Sequence, residues 1–157
     1  MKTLVNIYLK CAHLASLLKS PFLLAIRLYW GWQLVQSGWG KLHHLDRVTE
    51  FFSSLNLPAP AFTAHFVSSL ELIGGIALIL GLASRLFGLM LTVNMLVAYW
   101  TADRDALTAF FSDPGKFYNA DPYTFLFAAL MVLIFGAGLF SLDALLEKHF
   151  RRHLEER

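Results

Sequence analysis

Four apolar stretches, residues 22–38, 62–82, 85–100 and 122–140, dominate this chain of 157 residues. Each is rich in helix-compatible Leu, Ala and Met, and none alternates with period two, so each reads as a helix. A helix needs about 20 residues to cross the hydrocarbon of a bilayer, with about 17 near the lower limit. The stretch 85–100 falls short and needs its end residues to snorkel toward the headgroups. Composition points the same way: 57% of residues are hydrophobic, 15% are charged, and the mean hydropathy is +0.54. A soluble domain of this size rarely covers its surface with so little charge. The expectation is one all-α integral membrane four-helix bundle with two long outer loops, residues 41–61 and 101–121.

Residues 1–21 read as an amphipathic helix lying on the membrane surface. Leu4, Ile7, Tyr8, Cys11, Leu14, Ala15 and Leu18 recur at helical spacing, and Lys2, Lys10 and Lys19 fall largely off that stripe. The membrane domain then occupies 22–146, and 147–157 forms a charged tail. In the first loop Asp46 is expected to cap a short helix with an apolar stripe of Val48, Phe51, Phe52 and Leu55. The second loop holds a helical candidate around 106–111, followed by the breaker Ser112-Asp113-Pro114-Gly115. Only Ala83 and Ser84 join the second and third stretches, which must therefore be antiparallel neighbours. With four spans, eight Lys and Arg lie on the side of both termini and four on the side of the long loops. The positive-inside rule then puts the termini in the cytoplasm of a cell with an inner membrane. The net charge of +2 gives no case for nucleic acid, and a single cysteine excludes an internal disulfide or CxxC redox pair.

Two ionisable residues interrupt the apolar stretches. Arg27 lies in the first and Glu71 near the middle of the second. A lone charge at the bilayer centre costs at least ~2.5 kcal/mol. Depth counting puts Glu71 about one and a half turns further out than Arg27, within reach of an extended arginine. Gln33 and Asn94 fall near the same level, so Arg27, Gln33, Glu71 and Asn94 form a candidate polar cluster. Two readings stand side by side: a buried pair that fixes helix packing, or part of a ligand or proton site. Trp30 and Trp32 are candidate aromatic walls beside it. Gly74, Gly75 and Gly81 follow Glu71 on one face, and Gly31 and Gly38 make a similar strip on the first span, so close packing is expected. His43, His44 and His65 are weak metal candidates, because adjacent histidines do not share a helical face and no HxxxH spacing occurs.

Several segments together resemble the DoxX-like family of integral membrane proteins. They are Arg27 with its glycines, Gly40-Lys41-Leu42, the run FFSSLNLPAP into the second span, and Glu71 with Gly74-Gly75. LGLASR ending at Arg85, and GAGLFSLDALL with Ser141-Leu142-Asp143 at its centre, complete the set. The resemblance implies a four-helix membrane bundle. It also implies a link to redox chemistry, since one family member is a small subunit of an archaeal thiosulfate:quinone oxidoreductase and others accompany oxidative-stress complexes. The related vitamin K epoxide reductase architecture needs a CxxC that this chain lacks.

The expected function is an accessory subunit in electron transfer or redox homeostasis that binds quinone in the bundle, with electrons from a partner; a protein partner or a homo-oligomer is expected. No redox cofactor is encoded. The alternative is a non-catalytic anchor or assembly factor for a partner in metal or oxidative-stress handling, docked through Phe51, Phe52, Phe110 and Phe111. A small transporter using Arg27 and Glu71 as gating charges is a third class.

Overall fold

The computed structural model describes residues 2–155, with the side chains of residues 2, 3, 7, 11 and 152–155 outside the description. Among the described residues are nine helices and no strand. Helix α1 is Lys2–Leu17, α2 Lys19–His43, α3 Leu45–Ser54, α4 Pro60–Leu80 and α5 Ser84–Thr101. Then come α6 Arg104–Thr108, α7 Pro114–Asn119, α8 Pro122–Phe135 and α9 Leu142–Glu155.

Four of these form the body. Helix α2 lies along α4 and α5 lies along α8; the pairs then meet through α4 with α5 and α2 with α8. Leu34, Leu78, Leu91, Tyr99 and Val132 from all four helices are buried together. The starts of α2 and α9 lie at one end of this body, called the terminal end; α3, α6 and α7 cover the other, the loop end. The α2–α4 contact is backbone on backbone. A methyl group added to Gly38 would sit 2.4 Å from the Leu72 nitrogen and 2.7 Å from the Ser68 oxygen. One added to Gly75 would sit 2.7 Å from the Gly31 oxygen. These are the small residues expected to admit a close neighbour, and they do so between α2 and α4.

Large apolar side chains also face outward. Phe66, Ile73 and Ile76 of α4, with Leu89, Val93 and Leu96 of α5, are all exposed. So continuous an apolar belt would drive a soluble protein to aggregate, and it suits a lipid solvent. The run Leu4–His43 and helix α4 are long and apolar enough to cross a membrane, and α8 is a shorter apolar helix.

Several boundaries differ from the sequence expectation. The fourth stretch stops being helical at Phe135, because Gly136 and Gly138 adopt φ of 75° and 77° and turn the chain into a loop before α9. His44, not Asp46, is the N-cap of α3, with no side-chain cap; Asp46 sits in the first turn, where its negative charge is favourable beside the positive end of the helix dipole. Pro114 ends no structure: its fixed φ suits a first helical turn and it starts α7. Residues 147–155 of the expected tail belong to α9. Helix α1 is shorter than the expected 1–21, since the chain from Lys19 belongs to α2, and its described side chains are exposed. Ile7 and Cys11 of its apolar stripe have side chains outside the described set.

The close α2–α4 contact predicts that Gly38→Ala destabilises the protein by about 1–3 kcal/mol, since the obstructing atoms are backbone and cannot swing aside. Gly40→Ala, with nothing within 4 Å of the added methyl, should leave thermal unfolding in detergent unchanged or slightly raised.

Candidate functional site

Helix α4 ends at Leu80, and a helix end leaves its last carbonyls short of partners; the Gly81 N–H turns back to Leu78 at 3.1 Å and that of Leu82 to Ala77 at 2.9 Å. Arg27, 1% exposed, supplies further donors. Its Nε donates to the Leu78 carbonyl at 2.7 Å and a terminal nitrogen donates to Ile79 at 3.0 Å. The other terminal nitrogen donates to Phe140 at 3.0 Å and to Ala137. One guanidinium thus fastens the end of α4 to the loop after α8. Asp143 completes this knot from the start of α9. Its two carboxylate oxygens accept from the backbone N–H groups of Ala83 and Ser84, at 2.7 and 2.8 Å, and its own N–H donates to Gly81 at 2.9 Å. The carboxylate is close enough to Arg27 for the two charges to attract. Gly81 has φ of 66° and no room for a side chain: an added methyl would lie 2.6 Å from the Arg27 guanidinium.

The expected Arg27–Glu71 pair therefore does not form. Helices α2 and α4 are antiparallel in a register that puts Gly38 against Ser68 and Leu72, and Gly31 against Gly75 and Ile79. Glu71 is then level with Ser37, ten residues or ~15 Å along α2 from Arg27. No arginine side chain spans that. Glu71 is instead held by Lys41, whose Nζ lies 2.6 and 2.7 Å from its two oxygens, and by the Ser37 hydroxyl at 2.8 Å. The side chain of Glu71 is 4% exposed and that of Lys41 35%, so the ammonium reaches inward from the loop end.

This ion pair lines a cavity of about 930 Å³ between the α2–α4 and α5–α8 pairs at the loop end. Gln33 of α2 and Asn94 of α5 line it too. Among the described residues, neither amide has a hydrogen-bond partner in the protein. Three of the four expected cluster residues, Gln33, Glu71 and Asn94, thus share one space, and Arg27 lies outside it. The apolar wall comes from Leu34, Val67, Met95 and Phe125, with Phe51 and Leu55 of α3 above. Trp30 and Trp32 are not part of it. Trp30, half-buried, packs edge-on against Tyr29, and Trp32 is exposed; they flank Gly31, each about 100° round α2 from the face that meets α4. Lys41 and Ser37 were legible as members only through their spacing: Gln33, Ser37 and Lys41 recur every four residues and share a helix face. His43, His44 and His65 are exposed and scattered, and no group of metal-ligating side chains is found among the described residues.

Arg47, Asp103 and Asp121 line the mouth. Burial, and then the charge of Asp121, hold the Asp103 carboxyl above its ordinary pKa. The folded protein keeps that proton to higher pH than the unfolded chain does. Its contribution to stability is therefore present in acid and is lost as pH rises through the raised value. Asp103→Asn should unfold at a higher temperature than the parent at pH 7, and melting curves taken at falling pH should show the difference vanish below about pH 4.

The DoxX family model matches residues 22–104, which hold α2 to α5 and every polar residue of the inner cavity named above. The chain is 28% identical over 120 residues to "Putative oxidoreductase CatD" of Bacillus subtilis (strain 168), an alignment covering 76% of this chain and 83% of that protein. No solved structure matches. The apolar belt and the family match make this a membrane protein, and the chain belongs to the DoxX family.

Proposed function

We propose that the protein crosses the membrane four times, through α2, α4, α5 and α8, and holds a quinone-type ligand in the loop-end cavity for an electron-transfer partner. The observation that carries this reading is the pair of unpartnered amides, Gln33 and Asn94, beside the Lys41–Glu71 ion pair in an otherwise apolar space. A ligand site of this kind is concave, apolar and furnished with a few convergent polar groups, in a volume of about 300–1,000 Å³. The cavity's 930 Å³ falls within that range. A quinone offers two carbonyl oxygens to amide donors and a flat ring to the Phe125 and Leu34 wall. Its reduction takes two electrons and two protons. Lys41 and Glu71 can pass protons at the ligand, and the electrons come from the partner. The name of the Bacillus relative supports a redox setting. The excess of Lys and Arg at the terminal end supports cytoplasmic termini in an inner membrane.

A second reading, a docking subunit with no ligand of its own, is favoured by Phe111 at 92% exposure, with Phe110 and Phe51 also exposed at the loop end. The two readings part on one experiment. Purified protein would be extracted for co-purifying quinone and titrated with menadione in detergent. Saturable binding is expected, weakened about two- to tenfold by Asn94→Leu or Gln33→Leu through loss of one hydrogen bond, and untouched by Trp32→Leu. Extracts free of quinone, together with no saturable binding of menadione, would sink the ligand reading.

A further inference from the structure

A second cavity, of about 540 Å³, opens at the terminal end among the starts of α2, α5 and α9 and the loop after α8. It carries two cations and two carboxylates, and their commitments differ. Asp143 is engaged by the two backbone N–H groups that open α5, and Glu147 by Arg151 at 2.6 Å. Lys19 and Arg85 have no acidic partner among the described residues. Both are nonetheless drawn to one spot. The Lys19 ammonium stands 5.5 Å from the centre of the Phe135 ring. The Arg85 guanidinium lies over Gly136, where a side chain would come within 3.8 Å of its Nε. The hydroxyl of Ser84, in the same wall, is the buried side-chain polar atom left without a partner among the described residues. Two like charges converging on adjacent residues repel unless an anion sits between them. The neighbouring wall is apolar, through exposed Leu86, Leu139 and Phe135. With α2, α5 and α8 crossing the bilayer as proposed, this end lies at headgroup depth.

We infer that this cavity binds a phosphate-bearing anion through Lys19 and Arg85, with the apolar wall receiving what the phosphate is attached to. A phospholipid headgroup and free phosphate share that chemistry. Arg85 supplies a planar fork that can hold two phosphate oxygens, and Lys19 a point charge. The end of α8 also draws cations by its dipole, so the account needs an effect that dipole pairing alone does not give: selective retention of an anion.

The test uses the full-length protein. Native mass spectrometry would count lipids retained after exchange into mixed micelles of phosphatidylglycerol and phosphatidylcholine, and thermal unfolding in detergent would be followed with added sodium phosphate. Selective retention of phosphatidylglycerol with no response to phosphate identifies a lipid headgroup. Stabilisation by millimolar phosphate that also displaces the lipid identifies free phosphate. In either case Lys19→Gln and Arg85→Gln should each weaken retention about fivefold. Lys148→Gln, a cation at the same end outside the cavity, should leave it unchanged. Lys19 is exposed, so its variant folds even if that of Arg85 does not. Equal retention of both lipids with no response to phosphate overturns the proposal. So does a loss that follows Lys148→Gln as closely as Lys19→Gln. Neither result touches the quinone reading, which concerns the opposite end.

Discussion

A helix end buried inside a bundle has carbonyls that water cannot reach, and a loop packed against it has more. Each buried group left without a partner costs about 1–3 kcal/mol. Helix α4 ends at Leu80, and the chain leaves α8 through the non-helical segment 136–140 at the same level. Arg27 meets four carbonyls from these two places with one rigid planar group. A lysine has three donors on a flexible stem and could not reach the same set in that geometry. The arginine's own desolvation is offset by these bonds and by Asp143 nearby. The arrangement lets α8 be only 14 residues long and still belong to the body of the fold.

Fixing Arg27 in this way separates two tasks that one cluster was expected to share. The terminal end is knotted; the loop end is not. With Arg27 committed, Glu71 is left to Ser37 and Lys41, ten and fourteen residues further along α2. Close packing through Gly31, Gly38 and Gly75 binds α2 to α4, and Gly88 lets α5 approach α8. The cavity lies between the two pairs at the end covered by α3, α6 and α7. Tyr99, fully buried, ties the covering loop back to α5 through a hydrogen bond of 2.8 Å to the Phe117 carbonyl and stacks on the Phe117 ring. The site thus lies between the knotted terminal end and the short helices that roof it at the loop end.

Much of this was legible in the sequence, for physical reasons that can be named. Four apolar stretches marked the four main helices because a lipid-facing helix must be apolar all round. The Gly31, Gly38 and Gly75 strips announced close packing because nothing else tolerates backbone contact. Arg27 and Glu71 were visible as buried charges. Their pairing was misread because depth counting fixes each residue only to within a turn or two, whereas the glycine register fixes it to a residue. The Arg27 partners were hidden for a different reason. They are backbone carbonyls, which leave no trace in side-chain identity, although the glycines at 81, 136 and 138 and the motif Ser141-Leu142-Asp143 marked the turns that present them. Trp30 and Trp32 were misassigned because aromatic type says nothing about which way a helix face points.

The central claim is that Arg27 and Glu71 belong to separate structures, one a knot and the other a cavity wall. A double-mutant cycle on thermal unfolding in detergent tests it, with Arg27→Gln, Glu71→Gln and Lys41→Met made singly and in pairs. Contacting residues couple by about 0.5–3 kcal/mol, while independent sites add to within about 0.5 kcal/mol. The account predicts coupling of that size between Lys41 and Glu71, and additivity between Arg27 and Glu71. Strong coupling of Arg27 to Glu71, with Lys41 and Glu71 additive, would contradict it.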